Sequence, residues 1–188
     1  MGTLSFTATV SLDGYVADAD GDFNWSGPGD DVFRFHVERM GLVSTEVLGR
    51  RTYRLMQYWD TDPKDDSWGA DEHEFARRWR GIGLVVASST LAPADVASER
   101  ARLVPDLGLD ELERIVRDAP GEVEIFGPTT AEPAIRAGMV HNYRFFVVPK
   151  VIGGGLRALP ADVRLDLRLV EQRQLGSTLY AHYVAPYA

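Results

Sequence analysis

Leu84-Val85-Val86-Ala87-Ser88-Ser89-Thr90 decides the fold: four apolar residues with no polar face, closed by three hydroxyls. A short apolar run of this kind marks a strand covered on both sheet faces, the habit of parallel sheets. Upstream, Glu72 to Arg80 reads as a surface helix after a polar loop, Asp60 to Asp71, that contains Pro63 and Gly69. Before that, Val43 to Leu48 is a short strand entering the turn Gly49-Arg50-Arg51-Thr52 and a helical Tyr53 to Met56. Val32 to Met40 sets Val32, Phe33, Phe35, His36 and Met40 at helical spacing behind Asp30-Asp31. Acidic residues there suit the positive end of a helix. Leu4 to Val10 alternates apolar residues with Ser and Thr, the period of a strand.

Downstream, Arg102 to Val104 is a strand, and Gly108 to Asp118 a helix with Leu109, Leu112, Ile115 and Val116 inward. Val123 to Phe126 is a strand ending at Gly127-Pro128, and Thr130 to Ala137 a helix closed by Gly138. Tyr143 to Val148 is a strand leading to Pro149 and the Gly153-Gly154-Gly155 turn. Leu169 to Gln174 and Thr178 to Val184 form an antiparallel hairpin. This alternation predicts an α/β fold: a mainly parallel central sheet flanked by helices, with an antiparallel C-terminal hairpin.

A chain of 188 residues without repeats or Ser- or Gly-rich linkers reads as one domain spanning 1–188. Apolar residues at 45% and charged ones at 26% describe an ordinary globular protein. With no cysteine, disulfides, thiol nucleophiles, Fe–S clusters and thiolate zinc sites are excluded. His36-Val37-Glu38 therefore cannot belong to a zinc deaminase, and His73-Glu74 lacks the second histidine of a zincin. No metal is expected. A net charge of −8 disfavours nucleic acid and anionic membranes as partners. No apolar run approaches the roughly 18 residues of a membrane helix, and MGTLSFTATV lacks the basic start of a signal peptide. A cytoplasmic protein is expected.

In α/β sheets ligands gather at the carboxyl ends of the strands, near a switch in strand order. Four clusters fall there. In Ser11-Leu12-Asp13-Gly14-Tyr15-Val16-Ala17, Gly14 permits a tight turn beside a flat ligand, and Asp13 is either a polar contact or a turn residue. In Gly49-Arg50-Arg51-Thr52, helix-start N–H groups and two arginines suit a phosphate, although exposed arginines are also simply solvated. Ser88, Ser89 and Thr90 can hold a phosphate or ribose, or cap a turn. Gly127-Pro128-Thr129-Thr130 adds two hydroxyls and another helix start. A nucleotide-containing ligand accounts for all of them at once.

Taken in order, these segments resemble the dihydrofolate reductase-like superfamily. The resemblance is to the C-terminal reductase domain of the bifunctional riboflavin-biosynthesis deaminase/reductase and its stand-alone relatives. It is carried by Ser11 to Ala17, Leu48-Gly49-Arg50-Arg51-Thr52-Tyr53, Val85 to Leu91, Ile125-Phe126-Gly127, Ala137-Gly138-Met139-Val140 and Pro149 to Gly155. The deaminase half has no counterpart in the chain.

The resemblance implies an NADPH-dependent reductase that passes a hydride to a carbonyl or imine carbon of a small heterocyclic or sugar-linked substrate. It places Gly49, Arg50, Arg51, Thr52, Ser88, Ser89 and Thr90 on the pyrophosphate and the 2′-phosphate end. Phe126, Gly127, Pro128, Thr129 and Thr130 approach the pyrophosphate, and Ala8, Gly14 and Val16 border the nicotinamide. An acid four residues before a Phe marks the substrate helix of dihydrofolate reductases. Asp31 stands four before Phe35, so it is the candidate proton donor or substrate clamp, with Asp30 and Asp13 behind it. The family's consecutive glycines, often joined by a cis peptide, become Gly127-Pro128, for which a cis bond is expected. Pro128 also lacks an N–H donor. Acidic residues at 18, 20, 22, 30 and 31 argue against a sugar phosphate as the literal substrate. A ligand-binding module without turnover, or a flavin-using reductase, is compatible with the same residues. A homodimer is expected by analogy, with Tyr180, Tyr183 and Tyr187 as interface candidates.

Overall fold

The structure, a computed structural model, describes residues 2–96 and 98–186. In chain order its elements begin with β1 (Leu4–Ser11), β2 (Tyr15–Ala17), α1 (Asp30–Met40), β3 (Val43–Gly49) and α2 (Arg50–Met56). Next come α3 (Ala70–Trp79), β4 (Gly83–Ala87), β5 (Ala101–Val104), α4 (Leu109–Asp118) and β6 (Glu122–Phe126). They end with α5 (Pro128–Arg136), β7 (Asn142–Val148), β8 (Leu156–Arg157), β9 (Arg168–Leu175) and β10 (Thr178–Val184). Their contacts form two compact units: Gly2 with Phe33–Glu124, and Thr3–Val32 with residues 125–186. No described helix is long and apolar enough to cross a membrane.

In the first unit β3, β4 and β5 run parallel, with Gly49 opposite Ala87 and Ala87 opposite Val104. Val47, Leu48 and Val86 are wholly buried, as the unbroken apolar run requires. Helix α3 turns Phe75, Ala76 and Trp79 inward. Its carboxyl end is tied down by Arg100, which donates to the carbonyls of Trp79 at 2.7 Å and Ile82 at 3.2 Å. The same guanidinium pairs with Asp60 at 2.6 Å. Helix α3 starts at Ala70, earlier than periodicity suggests, because the Glu72 carboxylate accepts the Gly69 N–H at 3.0 Å. In α4, Leu112 is buried, but Leu109 is 39% exposed at the first position rather than inward.

In the second unit β1 and β7 are parallel, and β7, β10 and β9 follow antiparallel. This is the expected C-terminal hairpin. Two elements had no signal in the sequence: β2 and β8 pair as a small separate sheet. They are too short to show a period.

Two expectations change, and one strand is more enclosed than its pattern alone conveys. The strand read from the alternation in β1 is present, and both of its faces are covered, since Ser5, Thr7 and Ser11 are as buried as Leu4 and Phe6. Small hydroxylated side chains fit there because their polar atoms find partners. The Gly127–Pro128 peptide is trans, not cis. The sharp turn comes instead from Gly127 at φ 86°, ψ 127°, a region L side chains avoid, and Pro128 begins α5. Finally, Tyr180 is 1% exposed and packs on Phe146, so it is core rather than surface. Tyr183 is half-buried, and Tyr187 lies outside the described residues.

Candidate functional site

The parallel pairing of β3 with β4 sets two of the four clusters side by side in the first unit. Arg50 Nη1 donates to Thr90 Oγ1 at 2.9 Å. Ser88 Oγ lies 3.4 Å from the same hydroxyl and accepts the N–H of Thr90 at 3.3 Å and of Leu91 at 3.2 Å. Buried Ser88 is therefore the turn cap, while Ser89 and Thr90 stay exposed, Thr90 against Arg50. Gly49 offers α2 no side-chain cap, so the leading N–H groups keep their capacity for an anion. Thr52 is half-buried in the first turn. The donor set is guanidinium, hydroxyl and amide, the chemistry that suits phosphate oxygens.

The second unit carries the other two. The Asp13 carboxylate accepts the Ser11 hydroxyl at 2.7 Å, the Ile152 N–H at 3.1 Å and the Gly153 N–H at 2.7 Å. The Ser11 hydroxyl, reinforced by these amides and opposed by burial, pulls its pKa down to about 2. Asp13 is thus an ionised clasp between the turn after β1 and the glycine-rich run. Gly14, at φ 86°, accepts the Ala158 N–H at 3.0 Å. Ala8 sits opposite Phe145 in β1, and Val16 is half-buried in β2. Phe126 is half-buried just before Gly127. At the start of α5, the Ala131 N–H returns to the Gly127 carbonyl, so the amides of Thr129 and Thr130 are the ones at the open end. Asp30 and Asp31 are exposed in the first turn of α1. A side chain added at Gly176 would meet Asp31 Oδ2 at 3.8 Å. That turn joins β9 to β10 beside the carboxyl end of β7. Asp31 therefore stands at the edge where parallel strands present their ligand sites.

No protein-family model and no curated protein sequence matches the chain. Solved structures do. A protein of Shewanella sp. PV-4 named for riboflavin biosynthesis superposes with TM-score 0.75 at 21% identity, over 100% of both chains. The Thermotoga maritima diaminohydroxyphosphoribosylaminopyrimidine deaminase/5-amino-6-(5-phosphoribosylamino)uracil reductase gives 0.69 at 16% identity. Enterococcus faecalis dihydrofolate reductase, complexed with NADP(H), gives 0.60 at 17% identity, over 98% of this chain and 96% of that one. The chain has the dihydrofolate reductase-like fold. It covers 57% of the Thermotoga protein, which in turn covers 98% of it.

Inside the first unit of this dihydrofolate reductase-like chain lies a buried charge cluster that sequence reading missed. Arg39 pairs with Glu124 at 2.5 Å, and both are almost fully buried. Glu46, 1% exposed, leaves Oε2 without a hydrogen-bond partner among the described residues. Burial, then the nearby Glu124 charge, pushes its carboxyl well above the usual range. Burial, then Arg39, lowers the His36 pKa to about 4, so that imidazole is neutral at pH 7. Glu124 stands between Val123 and Ile125, and Glu46 directly before Val47-Leu48, which is the one signal the sequence offered.

Proposed function

We propose that the chain is an NADPH-dependent reductase acting on a small heterocyclic or sugar-linked substrate with a carbonyl or imine carbon. The observation that carries this is the Arg50–Thr90 pair beside exposed Ser89, at the joined ends of β3 and β4. A guanidinium and a hydroxyl meet there at 2.9 Å, and no carboxylate competes in the Arg50-Arg51-Thr52 turn. In the first unit Arg50, Ser89 and Thr90 would hold a phosphate group, and in the second unit Thr129 and Thr130 offer amides and hydroxyls of the same chemistry at the start of α5. When bound, the dihydronicotinamide supplies the hydride. Asp31 would hold the proton for the reduced atom, directly or through water, while Asp13 keeps the loop after β1 in place.

Titration with NADPH and NADH, followed by nicotinamide fluorescence, tests this. Wild type should bind NADPH in the micromolar range, and Arg50→Ala should weaken it by about tenfold. Asp31→Asn should cut turnover by about a hundredfold or more with NADPH affinity nearly unchanged. Equal loss of both would remove Asp31 from the proton-donor role. One observation favours a second reading, a ligand-binding module without turnover: Pro128 deprives the start of α5 of one N–H. Failure of either nucleotide to bind would select it. Flavin absorbance retained through purification would instead select a flavin-using reductase.

A further inference from the structure

The second unit contains a cavity of about 250 Å³ that none of the candidate carboxylates lines. Its walls are Val10, Gly14, Phe145, Ala158 and Leu159, with Arg157 as the charged member. The β1–β7 register sets Ala8 beside Phe145 and Val10 beside Val147. Val10 and Phe145 therefore share one sheet face, opposite to that of Thr9 and Ser11. Arg157 is held by Tyr15: Nη2 donates to the phenol at 3.1 Å, and the guanidinium carbon stands 4.8 Å from the ring centroid. Among the described residues it pairs with no carboxylate.

A guanidinium stays charged and carries five N–H donors in a planar fork that matches a carboxylate in two-point contact. With Tyr15 taking one donor, the fork retains that capacity beside apolar walls. The volume falls below the roughly 300–1,000 Å³ common for ligand pockets, a size that suits one ring. We propose that this cavity binds a small aryl monocarboxylate, its carboxylate on Arg157 and its ring against Val10, Phe145 and Leu159. Of the residues assigned to the nucleotide, this site shares Gly14.

Benzoate and its neutral amide, benzamide, titrated into the intact protein test this, with the methyl NMR signals of Val10 and Leu159 as reporters. Benzoate should shift both signals saturably, and benzamide should bind about tenfold more weakly. Arg157→Gln, at an exposed position, should keep the melting temperature and erase the preference for the acid. Leu159→Trp should block both probes. The proposal is overturned by the absence of saturable shifts, by equal affinity for the two probes, or by benzoate binding that survives Arg157→Gln.

Discussion

Two buried or clasped carboxylates give opposite pH signatures. Glu46 has its folded-state proton affinity raised, by burial first and then by Glu124. Its favourable contribution is complete below the unfolded carboxylate range and is lost as pH climbs through the raised folded value. Glu46→Gln keeps the shape without the titration. Its stability relative to wild type should therefore grow as pH rises above the ordinary carboxylate range in urea melts, and a constant difference would contradict the assignment. Asp13 runs the other way, lowered from 3.8 to about 2 chiefly by the Ser11 hydroxyl. Its contribution is present above the unfolded value and disappears as pH falls through about 2. Asp13→Asn should accordingly flatten the acid limb of the stability curve between pH 4 and pH 2, measured by circular dichroism. The sequence left Asp13 open between ligand contact and turn residue. Its partners Ile152 and Gly153 lie 139 and 140 residues away, beyond the reach of any local pattern.

At the scale of elements, the long periodic segments were legible and the short ones were not. Strands β4, β6 and β7 and helices α1 and α4 announced themselves through apolar period and flanking turn residues. Strands β2 and β8 did not, because a three-residue and a two-residue strand are defined by each other. Gly155 shows what their neighbourhood demands: at φ 129° an added Cβ would overlap the Ala17 carbonyl oxygen. Gly155→Ala should cost about 2–4 kcal/mol from overlap and backbone strain, read as a lower urea midpoint with an unchanged slope. Protection of the Ala158 amide from hydrogen exchange should fall with it, since that N–H bonds to Gly14. An unchanged midpoint would mean that the β2–β8 pair contributes little. In α5 the sequence placed the start two residues late. Pro128 is tolerated at the first helical position, where its missing N–H is not needed for the helix.

For the whole molecule, the fold class was within reach of the sequence and the oligomer was not. We propose a homodimer formed through the C-terminal hairpin, where Leu169 (45% exposed), Val170 (40%) and Leu179 (45%) present apolar surface. Light scattering should then give twice the monomer mass, with a melting temperature that rises with protein concentration. A monomer mass at every concentration would end that proposal. By itself the sequence determined the order of elements, the parallel character of the β3–β4–β5 strands and the position of polar clusters at strand ends. Those properties follow from local period and turn chemistry. Only the tertiary structure decided that Ser88 is a cap, that Ser5 and Thr7 are buried, that Gly127 rather than a cis peptide makes the kink, and that Glu46 lies in the core with Oε2 lacking a hydrogen bond among the described residues. Each depends on which distant groups surround a residue once the chain has closed. Burial and hydrogen-bond partnership are set by that closure, not by neighbours in sequence.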